Sequence, residues 1–138
     1  MSLIVQKFGG SSVADKEKLF NVAGIISDAY RSGDRVVVVV SAQGDTTDDL
    51  LEKAAEISDS PSKREIDMLL STGEQISASL LALALGTMRI PVVSLNAWQV
   101  GISSDSNYSN AKIKKIDTER LLRELDGGKV VIVTGFQG

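Results

Sequence analysis

A lysine followed by two glycines and two serines stands near the start of the chain, in the stretch QKFGGSSVA (residues 6–14). Lys7 would bring an ammonium group to the end of an apolar strand, and Gly9 and Gly10 would let backbone amides approach an anion closely. The pattern differs from G-x-x-x-x-G-K-[ST], because the lysine precedes the glycines, and from G-x-G-x-x-G. It suits phosphate binding, although a plain strand-to-helix turn with a solvated lysine explains the same residues.

A second turn rich in small residues, SAQGD (residues 41–45), follows a run of five valines. Consecutive valines are typical of a strand buried on both faces, as in the interior of a parallel sheet. Thr46 with Asp49 resembles a capping box at the start of the next helix. Since Thr46 and Thr47 cannot both cap that helix, one of the two hydroxyls is available to a ligand.

Glycine-bearing turns follow three predicted strands, after Phe8, Val40 and Thr134. In open α/β sheets, ligands bind outside the carboxyl ends of the strands. The three turns therefore point to one shared site at one edge of the sheet.

Apolar spacing predicts strands that alternate with helices, which indicates βαβ units and an α/β fold with a parallel sheet. Gly73 interrupts one helical stretch, so Glu74 would lie in the first turn of a new helix, as a partner of the helix dipole or as a ligand-binding residue. Gly86 is a suitable stop for that helix. The predicted strands are 3–8, 36–40, 91–95 and 129–134, with a hairpin formed by 99–103 and 111–116. The predicted helices are 15–31, 46–57, a helical stretch that ends at 70, a helix over 74–85, and a last helix from 117 or 118 to 125.

The composition excludes several kinds of chemistry. The chain has no cysteine and no histidine, so it offers no thiolate nucleophile, no disulfide and no histidine base. Fifteen basic against eighteen acidic residues give a net charge of −3, and without a basic run we expect no nucleic-acid partner. The N-terminus lacks a signal-peptide pattern, and the apolar stretch 76–85 is too short to span a bilayer. We therefore expect a cytoplasmic protein with no membrane partner.

Four blocks of the sequence, in this order and spacing, resemble the aspartokinases of the amino-acid kinase fold. They are VQKFGGSSVA (5–14), VVVVVSAQGDTTDDLLEKA (36–54), REIDMLLSTGEQIS (64–77) and VVIVTGFQG (130–138). The resemblance implies a three-layer αβα sandwich with a mainly parallel central sheet, plus a β-hairpin. It also implies transfer of the γ-phosphoryl group of ATP to the side-chain carboxylate of L-aspartate, giving 4-phospho-L-aspartate for lysine, threonine and methionine synthesis. That carboxylate is ionised at pH 7, so the reaction needs no general base.

The same resemblance implies roles for individual residues. Lys7 would be catalytic, stabilising the transferring phosphoryl group. Thr47 would bind a substrate carboxylate, and Glu74 would bind the substrate's ammonium group. No residue is implied as a metal ligand, because Mg²⁺ would arrive complexed with ATP. The residues implied in nucleotide and phosphate binding are Lys7, Gly9, Gly10, Ser11, Ser41 and Gly44.

Aspartokinases continue beyond the GFQG turn, so the resemblance covers residues 1–138 as the N-terminal, substrate-side part of a kinase domain, without the ATP-binding half and the ACT regulatory domains. We therefore expect the chain to be inactive alone, and to form a homodimer or to associate with the missing part. Two alternatives stay open. One is a kinase of the same fold that acts on acetylglutamate, glutamate, carbamate or UMP, and the other is a non-catalytic association module.

Overall fold

A parallel sheet forms the centre of the molecule. The computed structural model describes residues 2–96, 102–104, 113–116 and 119–135. In chain order the strands are β1 (Leu3–Phe8), β2 (Arg35–Val40), β3 (Val92–Leu95), β4 (Ile102–Ser104), β5 (Ile113–Ile116) and β6 (Val130–Thr134). Strands β1, β2, β6 and β3 lie side by side in that order and are all parallel. The predicted parallel sheet is thus confirmed.

Helices cover both faces of this sheet. The helices are α1 (Lys16–Arg31), α2 (Thr46–Ile57), α3 (Lys63–Thr87) and α4 (Glu119–Asp126). Helices α1 and α3 pack on one face, and α4 packs on the other through Leu121 and Leu125. The predicted three-layer αβα arrangement is therefore confirmed.

Strand β2 shows why the valine run folds as it does. Val36, Val38 and Val40 join the core cluster under α1 and α3, while Val37 joins the cluster under α4. A strand with apolar side chains on both faces is stable only between two helical layers. Each fully buried valine contributes roughly 1.5–3 kcal/mol relative to exposure.

Helix α3 differs from the sequence-based prediction in two ways. The predicted interruption at Gly73 is wrong, because α3 runs without a break for 25 residues. The predicted stop at Gly86 is also wrong. The helix ends at Thr87, and Arg89 adopts the left-handed conformation with φ 59°. The amide of Ile90 then bonds to the Leu85 carbonyl at 3.1 Å, which turns the buried Ile90 side chain into the core.

The length of α3 also corrects the prediction that this apolar stretch is too short for a bilayer. Among the described helices, α3 alone has the length and composition of a membrane span. Its Leu81 and Leu85 are fully buried in the cluster beneath the sheet. Leu83 is 68% exposed and Ile76 is 51% exposed, so one face of α3 packs against the sheet while the other face is exposed.

The predicted hairpin is present as an antiparallel pair. Strand β4 pairs with β5, and Ile102 lies opposite Ile116. Strand β4 extends to Ser104, one residue past its predicted end, and a register shift occurs between Ser103 and Ser104. The predicted strand residues 99–101 and 111–112 lie outside the described residues. The predicted turn at 105–110, the start of the last helix at 117 or 118, and the end of the GFQG turn lie outside the described residues.

Candidate active site

The two glycine turns predicted to share a site are in direct contact. The Gly44 amide donates a hydrogen bond to the Gly10 carbonyl at 3.0 Å. A Cβ at Gly10 would lie 2.5 Å from the Ala42 carbonyl oxygen, so only glycine allows this approach. Gly44 has φ +42°, a conformation that favours glycine. The turns after β1 and β2 thus form one continuous surface.

Gly9 differs from Gly10 in its surroundings. Gly9 precedes the 3₁₀ helix Gly10–Val13 with φ −78°, which any residue adopts, and a Cβ there would meet no protein atom within 4 Å. Ser11, next to this pair, is exposed. The chain's own packing therefore does not require glycine at position 9, whereas close approach of a ligand would.

Lys7 and Glu74 lie near the carboxyl ends of the strands, on opposite faces of the sheet. Lys7 is exposed, pairs in register with Val39, and lies on the face that carries α4. Glu74 belongs to α3 on the other face and is only 7% exposed. A Cβ at Gly135 would lie 3.2 Å from Val39 Cγ1 and 3.8 Å from Glu74 Oε1. Gly135 thus borders both the Glu74 carboxylate and the strand neighbour of Lys7.

Thr47 is the second residue of α2, beside the second turn. The predicted capping box is wrong, because Asp45 precedes the helix and Thr46 is its first residue. The Asp49 amide donates to the Asp45 carbonyl at 3.0 Å, so the helix begins one residue earlier than the box requires. Thr47 is half-buried. Ser41, also half-buried, directly follows β2, so all the predicted site residues lie on elements that meet at this edge.

A cavity of about 590 Å³, lined by several charged residues, lies at the opposite end of the sheet, where the parallel strands begin. Its cations already have partners within the chain. Arg35 pairs with Asp126, and Arg31 donates to the Met88 carbonyl at 2.9 Å. Lys129 donates to Glu124 at 3.0 Å, and this contact, with Arg120 alongside, lowers the pKa of the Glu124 carboxyl. We therefore place the candidate site at the carboxyl edge.

The carboxyl edge combines three chemical features. It has an exposed ammonium group at Lys7, two glycine turns with accessible backbone, and a buried carboxylate at Glu74. Such a set can hold a phosphate group and an ammonium group side by side. The described residues contain no cluster of three acidic side chains able to hold a metal ion.

Comparison with known proteins assigns the family. The family model described as "Amino acid kinase family" matches residues 2–138. The chain belongs to the amino-acid kinase family. Members with similar sequences are aspartokinases. The aspartokinase of Geobacillus stearothermophilus is 53% identical to this chain over all 138 residues, and the match covers 34% of the length of that aspartokinase.

Solved structures agree with this family assignment. The aspartate kinase from Synechocystis superposes with a TM-score of 0.82 at 48% identity, over 97% of this chain and 22% of that protein. E. coli aspartokinase III, solved in complex with aspartate and ADP, superposes with a TM-score of 0.79 at 20% identity. This match covers 98% of the present chain and 40% of the E. coli chain. This amino-acid kinase chain is similar to the N-terminal part of aspartokinases and spans about a third of the curated relatives it matches.

Two contacts that hold the site together were missed from the sequence. The Gln43 side chain donates to the Val13 carbonyl at 2.7 Å and joins the second turn to the end of the 3₁₀ helix. A Cβ at Gly73 would lie 2.9 Å from Ala42 Cβ. A signal for the second existed, since a glycine within a helical pattern costs about 1 kcal/mol and often marks close packing. No local signal pairs Gln43 with Val13.

Proposed function

We propose that this chain forms the substrate-side part of an aspartate kinase, which transfers the γ-phosphoryl group of ATP to the side-chain carboxylate of L-aspartate. The observation that carries the proposal is the meeting, at one sheet edge, of the Gly10–Gly44 contact, exposed Lys7 and buried Glu74. Its family and its similarity to aspartokinases support the proposal.

Each part of the site has a role in this reaction. A carboxylate oxygen of aspartate attacks the γ-phosphorus, the bond to the β,γ-bridging oxygen breaks, and ADP leaves. Lys7 stabilises the charge on the transferring group, since phosphoryl transfer depends mainly on positioning and charge neutralisation. Glu74 binds the substrate's ammonium group, and Thr47 binds a substrate carboxylate. The residues that hold nucleotide phosphates are Gly9, Gly10, Ser11, Ser41 and Gly44, with Lys7.

We propose that Mg²⁺ enters the reaction bound to ATP. The bound cation neutralises phosphate charge in such transfers. The solved E. coli enzyme binds aspartate and ADP, which supports a nucleotide and an amino acid as ligands here as well.

The proposal is tested by a chimera in which this chain replaces the matching 138 residues of the G. stearothermophilus aspartokinase. ADP release is measured with L-aspartate, L-glutamate, N-acetylglutamate, carbamate or UMP as acceptor. We expect turnover with aspartate only. We also expect none from the 138-residue chain alone, because it spans a third of its relatives. Faster turnover with another acceptor would favour the alternative kinase, and a folded but inactive chimera would favour the association module.

A pair of glycine variants separates binding from folding. We expect Gly9→Ala to keep the free energy of unfolding or raise it by about 0.4–1 kcal/mol, because φ −78° suits alanine. It should still raise the KM for ATP in the chimera, because the methyl group would occupy space next to the phosphates. Gly10→Ala should instead lower stability by about 1–3 kcal/mol, because its Cβ would meet the Ala42 carbonyl. Thermal unfolding and KM values decide, and equal stability losses in both variants would contradict this account.

The remaining expectations stay proposals. We propose that residues 1–138 are the N-terminal part of a kinase domain whose ATP-binding half and ACT domains lie on further sequence. We also propose a cytoplasmic location, a role in lysine, threonine and methionine synthesis, association with the missing part or with a second copy, and no nucleic-acid or membrane partner.

A further inference from the structure

Gly73 lies where α3 packs against the second glycine turn. A Cβ at this position would lie 2.9 Å from Ala42 Cβ and 3.2 Å from Thr46 Cγ2. Real Cβ atoms do not approach a neighbour to 2.9 Å, and Ala42 Cβ is fixed to the backbone, so the two elements would have to separate. Ala42 is itself buried, at 8% exposure. Glycine at position 73 therefore sets the distance between α3 and the turn.

The neighbours of this contact are the two residues proposed to bind the amino acid. Glu74 follows Gly73 on α3, and Thr47 follows Thr46 on α2. Both elements are regular helices at these positions, so a displacement at the contact moves Glu74 and Thr47 relative to each other. Ala42 belongs to the second turn, which is held against the first by the Gly44–Gly10 hydrogen bond and the Gln43–Val13 hydrogen bond. The displacement therefore falls mainly on α3, which carries Glu74.

We propose that Gly73 is a positioning residue that sets the spacing between Glu74 and Thr47 and thereby the affinity for the amino-acid substrate. The proposal rests on the proposed function, and Gly73 itself touches no substrate. It acts by letting α3 and α2 approach to a distance at which one aspartate reaches both side chains.

A different result is expected if Gly73 serves only to stabilise the fold. In that case Gly73→Ala would lower stability and impair all kinetic constants together. Positioning instead predicts a selective effect on aspartate, because a misplacement of about 1 Å costs up to 10²-fold in a well-oriented site.

The test is a double-mutant cycle in the chimera, with Gly73→Ala, Ala42→Gly and the two combined. We expect Gly73→Ala to raise the KM for aspartate about 10- to 100-fold and to raise the KM for ATP by a clearly smaller factor. Ala42→Gly removes the methyl group at 2.9 Å, so the double variant should recover most of the lost affinity. Gly86→Ala is the matched control, because it lies on the same helix and its Cβ would meet no atom within 4 Å.

Equal rises in both KM values, or no recovery in the double variant, would overturn the proposal. Thermal unfolding of the same four proteins separates this outcome from failure of the proposed function. If the chimera does not use aspartate but Gly73 and Ala42 still couple in stability, the packing contact holds and the assigned substrate is wrong. In that case Gly73 does not position an aspartate site.

Discussion

Replacing Lys7 by methionine should lower kcat for aspartate-dependent ADP release by the chimera about 10³-fold. A unit charge about 4 Å from the transferring phosphoryl group contributes up to ~4 kcal/mol at an effective dielectric of 20, and each 1.36 kcal/mol corresponds to about tenfold in rate. Lys7 is exposed on β1, so its replacement should change the free energy of unfolding by less than about 0.5 kcal/mol. Initial rates and thermal unfolding measure the two effects.

The matched control is Lys53→Met, which removes an exposed lysine from α2. We expect this control to keep kcat within about twofold, in line with the small effects of most surface substitutions. If Lys7→Met retains more than about a tenth of the activity, the charge at Lys7 is not the main stabilising group. In that case the glycine turns, the Mg²⁺ bound to ATP or the rest of the chimera stabilise the phosphoryl group.

Glu74→Gln should raise the KM for aspartate about 10- to 100-fold and leave the KM for ATP nearly unchanged. The carboxylate would pair with the substrate's ammonium group, and a hydrogen bond to a charged group contributes about 1.5–3 kcal/mol. Succinate, which lacks that ammonium group, provides a second measurement. The preference of the chimera for aspartate over succinate should fall by a similar factor, because glutamine removes only the interaction that succinate never makes.

Glu74 is buried, so the variant could also lose stability, and the comparison between two substrates controls for this. A loss of folded protein reduces turnover with both substrates equally. The control variant is Glu56→Gln, an exposed carboxylate on α2. An unchanged preference for aspartate over succinate in Glu74→Gln would remove Glu74 from the substrate site.

The parts of the fold that could be predicted are those with a repeating local pattern. Strand β1 and helix α2 have the predicted bounds, and the valine run is buried on both faces as expected. The glycine turns after β1 and β2 meet as predicted, through the Gly44–Gly10 hydrogen bond, because parallel topology brings the carboxyl ends of strands together. The resemblance to aspartokinases added the identities of the residues expected to act there.

The parts that could not be predicted depend on contacts between distant residues. Gly73 looks like a helix break in isolation, and its contact with Ala42 becomes visible only once α3 is packed against the second glycine turn. Gly86 looks like a helix stop, but the burial of Ile90 moves the left-handed residue to Arg89. The hydrogen bond from Gln43 to Val13 likewise has no signature in either segment alone.

If this edge directs a phosphoryl group to the side-chain carboxylate of aspartate, the product is an acyl phosphate, which can be trapped chemically. An acyl phosphate reacts with hydroxylamine to give a hydroxamate, whereas a nucleotide anhydride or inorganic phosphate does not. The chimera is incubated with ATP, Mg²⁺, L-aspartate and hydroxylamine, and the product is identified by mass spectrometry. We expect aspartyl β-hydroxamate in amounts equal to the ADP released, and its loss in Lys7→Met. ADP release without hydroxamate, or hydroxamate formed only from another acid, would contradict the account.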